Sequence, residues 1–197
     1  EASLEERIAR YISAPLSPVE VRELPSSVSF LDTPATEWEI GAAKIRAEAV
    51  THRGPTLGYR VTDTGTGTTL TYISDHEPGL GAPLDTLEPE WISGYDLACS
   101  SDLLIHDCQY TDEEYPDHVG WGHSKLTDTL TFARRVEAER LMLFHHDPLH
   151  SDEFLERFHE QAAERWVELG GGSDGLEMAA EGQELDLSAP APALTRA

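Results

Sequence analysis

The first apolar pattern along the chain is helical. Leu4, Ile8, Tyr11 and Ile12 share one face, and Ser3 with Glu6 forms a capping box. A short helix over about 4–13 is predicted, ended by Pro15 and Pro18. Residues 14–37 carry recurrent Pro and Ser and little periodicity, which reads as loop with one short extended piece. Period-two alternation then begins: Ile45, Ala47 and Ala49 face one way, Lys44, Arg46 and Glu48 the other, a strand over 43–50 with one wet face. Beyond Gly54-Pro55, residues 57–61 and 68–73 read as the strands of a hairpin turning at Thr64-Gly65-Thr66-Gly67. A loop rich in Gly, Pro and Asp runs from Ser74 to about Pro89.

The pattern next changes to strand and helix in alternation. Leu103-Leu104-Ile105 and Leu141-Met142-Leu143-Phe144 are short buried strands. Between them, after a polar loop over 107–123, a helix spans about 125–138, with Leu126, Leu130 and Ala133 inward and Ser124 as its N-cap. A second helix over about 152–169 is capped by Ser151, turns Phe154, Phe158, Ala162 and Trp166 inward, and stops at Gly170-Gly171-Gly172. Residues 176–179 and 185–187 form two last strands, and the Ala/Pro-rich tail 188–197 is expected to be disordered. Hairpins first and strand–helix units second predict an α/β sheet with helices on its outer face.

Charge narrows the function classes. With 37 acidic against 14 basic residues, the net charge of −23 disfavours docking to nucleic-acid phosphates. No apolar run reaches membrane-spanning length, so no membrane partner is expected. The two cysteines, Cys99 and Cys108, supply neither a disulfide framework nor a CxxC metal pattern; a reducing, cytoplasmic setting and a structural role for both fit.

The histidines fall where predicted strands end. His52 follows the strand over 43–50, Asp75 follows 68–73, His106 and Asp107 follow 103–105, and His145 and His146 follow 141–144. In α/β sheets ligands bind beyond the carboxyl ends of strands, and imidazole with carboxylate suits zinc, manganese or iron. Any one of these residues alone reads as readily as a turn former or a satisfied histidine. Their joint placement on one rim is what points to a metal.

Five segments in order resemble a known family. They are Thr51-His52-Arg53-Gly54-Pro55-Thr56-Leu57-Gly58-Tyr59-Arg60, Tyr72-Ile73-Ser74-Asp75-His76-Glu77, Asp102 to Tyr110, Gly122-His123-Ser124, and Leu143-Phe144-His145-His146-Asp147-Pro148. Together they resemble the metallo-β-lactamase-fold hydrolases, in the branch of ribonuclease Z and small-molecule cyclic phosphodiesterases, with Asp107 where ribonuclease Z usually has Glu. The resemblance implies an α/β fold, here the C-terminal portion of an αββα sandwich. It also implies two divalent metal ions, zinc first and manganese or iron as alternatives. His52 would ligate the first metal, Asp75 would bridge both, and His145 would ligate the second. His123 would be the general acid at the leaving group, oriented by Asp107. Paired cations lower the pKa of water and clamp an attacked phosphorus, and a carboxylate-held imidazolium can neutralise a leaving alkoxide. His146 and His150 are expected outside the ligand set.

The family's HxHxDH motif is missing: the chain contains no HxH and no histidine before His52, and it opens on Glu1 rather than Met. The expectation is therefore a partial domain over 1–187, with connecting helix and loops over 1–42 and core over 43–187. The histidine-rich half would precede Glu1 in a longer product or come from another polypeptide. The leading expectation is a phosphodiesterase acting on a small cyclic-nucleotide-like phosphodiester, with a lactone or thioester next. The competing one is a non-catalytic module that packs on a partner. A homodimer or a completing N-terminal segment would cover the apolar face of such a half-domain.

Overall fold

The computed structural model describes residues 3–31 and 37–187, in two compact units, Glu1–Thr33 and Pro34–Ala197. The first unit holds helix α1, Leu4–Tyr11, and a single 3₁₀ turn, Val21–Glu23. The capping box is present: the Glu6 amide donates to Ser3 Oγ at 3.2 Å, and the Ser3 amide donates to the Glu6 carboxylate at 2.8 Å. The helix ends two residues earlier than the periodicity predicts.

The second unit is built on one seven-stranded sheet whose spatial order is its chain order: β1 Glu37–Ile40, β2 Ala43–Val50, β3 Thr56–Asp63, β4 Thr69–Ile73, β5 Leu103–Asp107, β6 Arg140–Phe144 and β7 Leu176–Met178. The first four strands pair antiparallel; β4 to β7 pair parallel. Parallel neighbours need crossovers. These are the segment containing the short helix α2 (Tyr95–Ala98), then α3 (Leu126–Arg135), then α4 (Asp152–Glu168).

Several boundaries differ from the sequence reading. Residues 37–40, placed there in the connecting loops, pair with β2 and extend the sheet. Residues 185–187, expected as a strand, form none. Ser151 does cap α4, accepting from the Phe154 amide, but Ser124 does not cap α3. Its hydroxyl is taken instead by the His76 carbonyl at 2.6 Å. The tail 188–197 lies outside the described residues.

One face of the sheet carries the helices. Val50, Ile73, Leu104, Leu141 and Leu143 meet Leu97, Leu130, Phe132 and Trp166 in a continuous core. The other face presents Leu70, Tyr72, Leu103, Ile105, Met142 and Phe144, which with parts of segment 179–187 line a groove of about 310 Å³. Both cysteines are free, and burial pushes the Cys108 thiol pKa up. Among the described residues no helix is long and apolar enough to cross a membrane.

Candidate metal centre

The topology explains why the strand-end residues meet. β2, β4, β5 and β6 all run the same way, because β2 is separated from β4 by one antiparallel strand. Ile73 is level with His106, and Asp107 with Phe144, so the chain leaves the sheet at one edge in the segments carrying Asp75, Asp107 and His145. Donor atoms of His52, Asp75 and His123 lie within 4.8 Å of one another, as do those of Asp107, His123 and His145. His145 Nε2 stands 3.6 Å from Asp75 Oδ1. His145 adopts φ of 61°, the left-handed region that costs a non-glycine residue energy and recurs at functional sites. Its ring stacks on that of His123 at 4.8 Å, while the His52 ring meets His123 edge-on at 5.0 Å.

Neighbouring groups prepare the donors. Thr56 Oγ1 donates to the Gly54 carbonyl and stands 3.0 Å from His52 Nδ1, to which the Gly54 amide also points at 3.5 Å. These contacts orient the His52 ring through Nδ1. The Ser74 hydroxyl donates to Asp75 Oδ2 at 2.5 Å and so orients that carboxylate. Two imidazoles and a half-buried carboxylate are a donor set that fits a divalent ion of the zinc, manganese or iron kind.

Asp107 is completely buried and accepts four hydrogen bonds. Its Oδ2 takes the His76 amide at 3.0 Å and His123 Nδ1 at 2.7 Å. Its Oδ1 takes the amides of Gln109 at 3.1 Å and Ser124 at 3.2 Å. Burial of the His123 ring opposes its charge, but the hydrogen bond and charge of Asp107, with Asp75 and Glu77 behind it, outweigh burial and raise its pKa.

Not every strand-end histidine reaches the rim. β5 runs on through Asp107, and alternation turns His106 away from Asp107 into the helix side, where it is fully buried. His106 Nδ1 faces the Asp107 carbonyl at 2.7 Å and its Nε2 meets His76 Nδ1 at 2.8 Å. Burial lowers both pKa values, that of His106 to about 4, so the pair is neutral and structural. His146 faces the Ala179 carbonyl at 3.3 Å and His150 the Glu114 carboxylate at 3.0 Å; neither joins a candidate ligand group.

Glu77, which the sequence reading left outside the ligand set except as a fallback donor, is 1% exposed. Its carboxylate accepts from the Tyr115 hydroxyl at 2.6 Å and from the amides of Gly120 and Gly122, each at 2.8 Å. It thereby pins the loop that delivers His123. These bonds span 38 to 45 residues, and only the run Ser74-Asp75-His76-Glu77 hints at them in sequence. Gly122 has φ of 96°, and a Cβ there would lie 2.3 Å from His52 Cδ2 and 2.9 Å from the Arg53 amide. Gly122→Ala is expected to displace the His52 ring and weaken metal binding by at least about tenfold, read by competition with a chromophoric chelator. Unchanged affinity would show that His52 is not a ligand.

Residues 2–146 match the beta-lactamase superfamily domain, and the chain belongs to that family. A comparison with curated proteins returns no match. Among solved structures, the short form of human tRNase Z is 21% identical, with a TM-score of 0.52 over 76% of this chain and 45% of that one. A diphosphatase from the PhnP family is 17% identical, with a TM-score of 0.51 over 79% of this chain and 47% of its own. Yeast PDE1 is 14% identical, with a TM-score of 0.52 over 76% and 48% respectively. The likeness is one of fold, and the chain spans just under half the length of each of these structures.

Proposed function

We propose that the protein is a metal-dependent hydrolase of a small phosphodiester, cyclic-nucleotide-like in class. The observation that carries this reading is the His123–Asp107 pair, joined at 2.7 Å and set beside the His52 and Asp75 donors. Phosphodiester cleavage needs a proton for a departing alkoxide, and a carboxylate-held imidazolium supplies it. His52 and His145 would each hold one divalent ion, with Asp75 between them. The completing donors would come from an HxHxDH-bearing segment outside these residues, seated on the apolar sheet face as an N-terminal half or contributed by a partner chain, in a homodimer or otherwise. When bound, two such ions supply charge neutralisation at the phosphate and acidify water.

The residues of this chain do the remaining work. Asp107 holds His123 Nδ1–H, which points Nε2 at the leaving oxygen and stabilises the imidazolium. Thr56 and Ser74 orient the His52 ring and the Asp75 carboxylate. The names tRNase Z and diphosphatase among the similar folds favour phosphoester chemistry. The net charge of −23 argues against tRNA as the substrate here. Zinc as the metal and the cytoplasm as the setting complete the reading. A second reading, a non-catalytic module, is favoured by the absence of any HxH from the chain.

The test assays the complete, metal-loaded protein on bis(nitrophenyl) phosphate, cyclic AMP, a lactone and a thioester. Chelator-sensitive cleavage of the phosphodiesters above the other two is expected. Cleavage of the lactone or thioester alone would replace the substrate class, and no cleavage of any would favour the non-catalytic module.

A further inference from the structure

The loop that brings His123 to the rim also presents an aromatic residue. Trp121 is 48% exposed, although the backbone on both sides of it is held by the buried Glu77 carboxylate through Gly120 and Gly122. An indole kept half in water on a pinned backbone presents a rigid stacking face at low entropic cost. The ring is not isolated. His118 meets it edge-on at 4.8 Å, Tyr110 stacks on His118 at 4.3 Å, and Tyr110 meets His123 edge-on at 6.3 Å. The aromatic row therefore leads to the His123 side of the rim.

Arg53 stands on the same row. It follows His52 directly, its amide lies against Gly122, and its guanidinium sits 5.9 Å from the centre of the Trp121 ring. Among the described residues it makes no salt bridge, in a chain where acidic residues outnumber basic ones 37 to 14. A guanidinium without a carboxylate partner, next to a candidate metal centre, is suited to phosphate oxygens.

We propose that Trp121 and Arg53 form a recognition platform for the planar ring of a nucleotide-like or aryl phosphodiester. The ring stacks on Trp121, and Arg53 pairs with the phosphate. This rests on the phosphodiester reading and adds its specificity: the substrate carries a flat aromatic group rather than an alkyl or sugar group alone. Neither residue touches a transferred proton; both set affinity for the ring-bearing ligand.

The platform is tested by measuring the binding of AMP and ribose phosphate to the complete, metal-loaded protein by calorimetry. AMP is expected to bind about tenfold more tightly, the range of one base stacked on an aromatic side chain. Trp121→Ala should bring AMP down to the affinity of ribose phosphate, with ribose phosphate binding and metal content unchanged, and Trp121→Phe should keep most of the difference. Arg53→Gln should weaken both ligands alike. Equal affinity for the two ligands in the unaltered protein, or equal weakening of both by Trp121→Ala, would overturn the platform and leave the phosphodiester reading standing. Binding of neither phosphate would overturn both.

Discussion

The His123→Gln protein keeps its metals and loses about 10²- to 10⁴-fold in turnover on a phosphodiester with an alkyl leaving group. On a nitrophenyl leaving group, which departs without a proton, the loss is far smaller. This contrast follows from the position of His123, whose Nδ1 is committed to Asp107 at 2.7 Å while its ring faces His52 and His145. The same geometry has another reading that the experiment separates. Metal-binding histidines also hand their second nitrogen to a carboxylate, and His123 belongs to both candidate ligand groups. If His123 is a ligand, His123→Gln loses metal, and both substrates suffer equally. Metal content measured beside the two rates therefore distinguishes acid from ligand.

Asp107→Asn is expected to act on stability and on chemistry together. The carboxylate accepts from three backbone amides and His123 with both oxygens engaged. An amide group must turn an NH₂ toward two of these donors, in a position with no access to water. Leaving buried donors unpaired costs about 1–3 kcal/mol each, so a loss of roughly 2–6 kcal/mol is expected by denaturant titration. The pH profile carries the chemical part. Asp107 raises the His123 pKa, so the protonated acid persists to higher pH in the unaltered protein. Activity falls as pH rises through that pKa. Without the carboxylate charge the pKa drops, and the fall begins at lower pH. An unmoved basic limb would show that some other group sets it.

Much of this was legible in the residues themselves. The alternation over 43–50 and the apolar runs at 103–105 and 141–144 mark strands because each has a side to bury, and α4 shows its Ser151 cap and its inward Phe158, Ala162 and Trp166. What stayed hidden depended on distant partners. Ser124 has the chemistry of an N-cap, yet its hydroxyl reaches the His76 carbonyl 48 positions away. His106 sits beside Asp107 in sequence, but one step of alternation sends it into the core. The strand-end rule brought His52, Asp75, Asp107 and His145 to one rim, and the family resemblance gave His123 its place there. Neither could reveal Glu77, because its role exists only when Tyr115, Gly120 and Gly122 fold back onto it.

In the proposed dinuclear phosphodiesterase site this chain supplies His52, Asp75 and His145. The most direct measurement of that site is metal stoichiometry and hydrolysis of bis(nitrophenyl) phosphate, compared for residues 1–197 alone and for the same residues joined to an HxHxDH-bearing half. Catalytic zinc normally has three protein ligands, and one private histidine plus a shared carboxylate falls short of that for each ion. At most one weakly held metal and no turnover are expected for residues 1–197 alone, against two metals and turnover for the joined protein. Two tightly held metals or turnover in residues 1–197 alone would contradict this ligand set, and would assign the missing donors to other residues of this chain, His123 first among them.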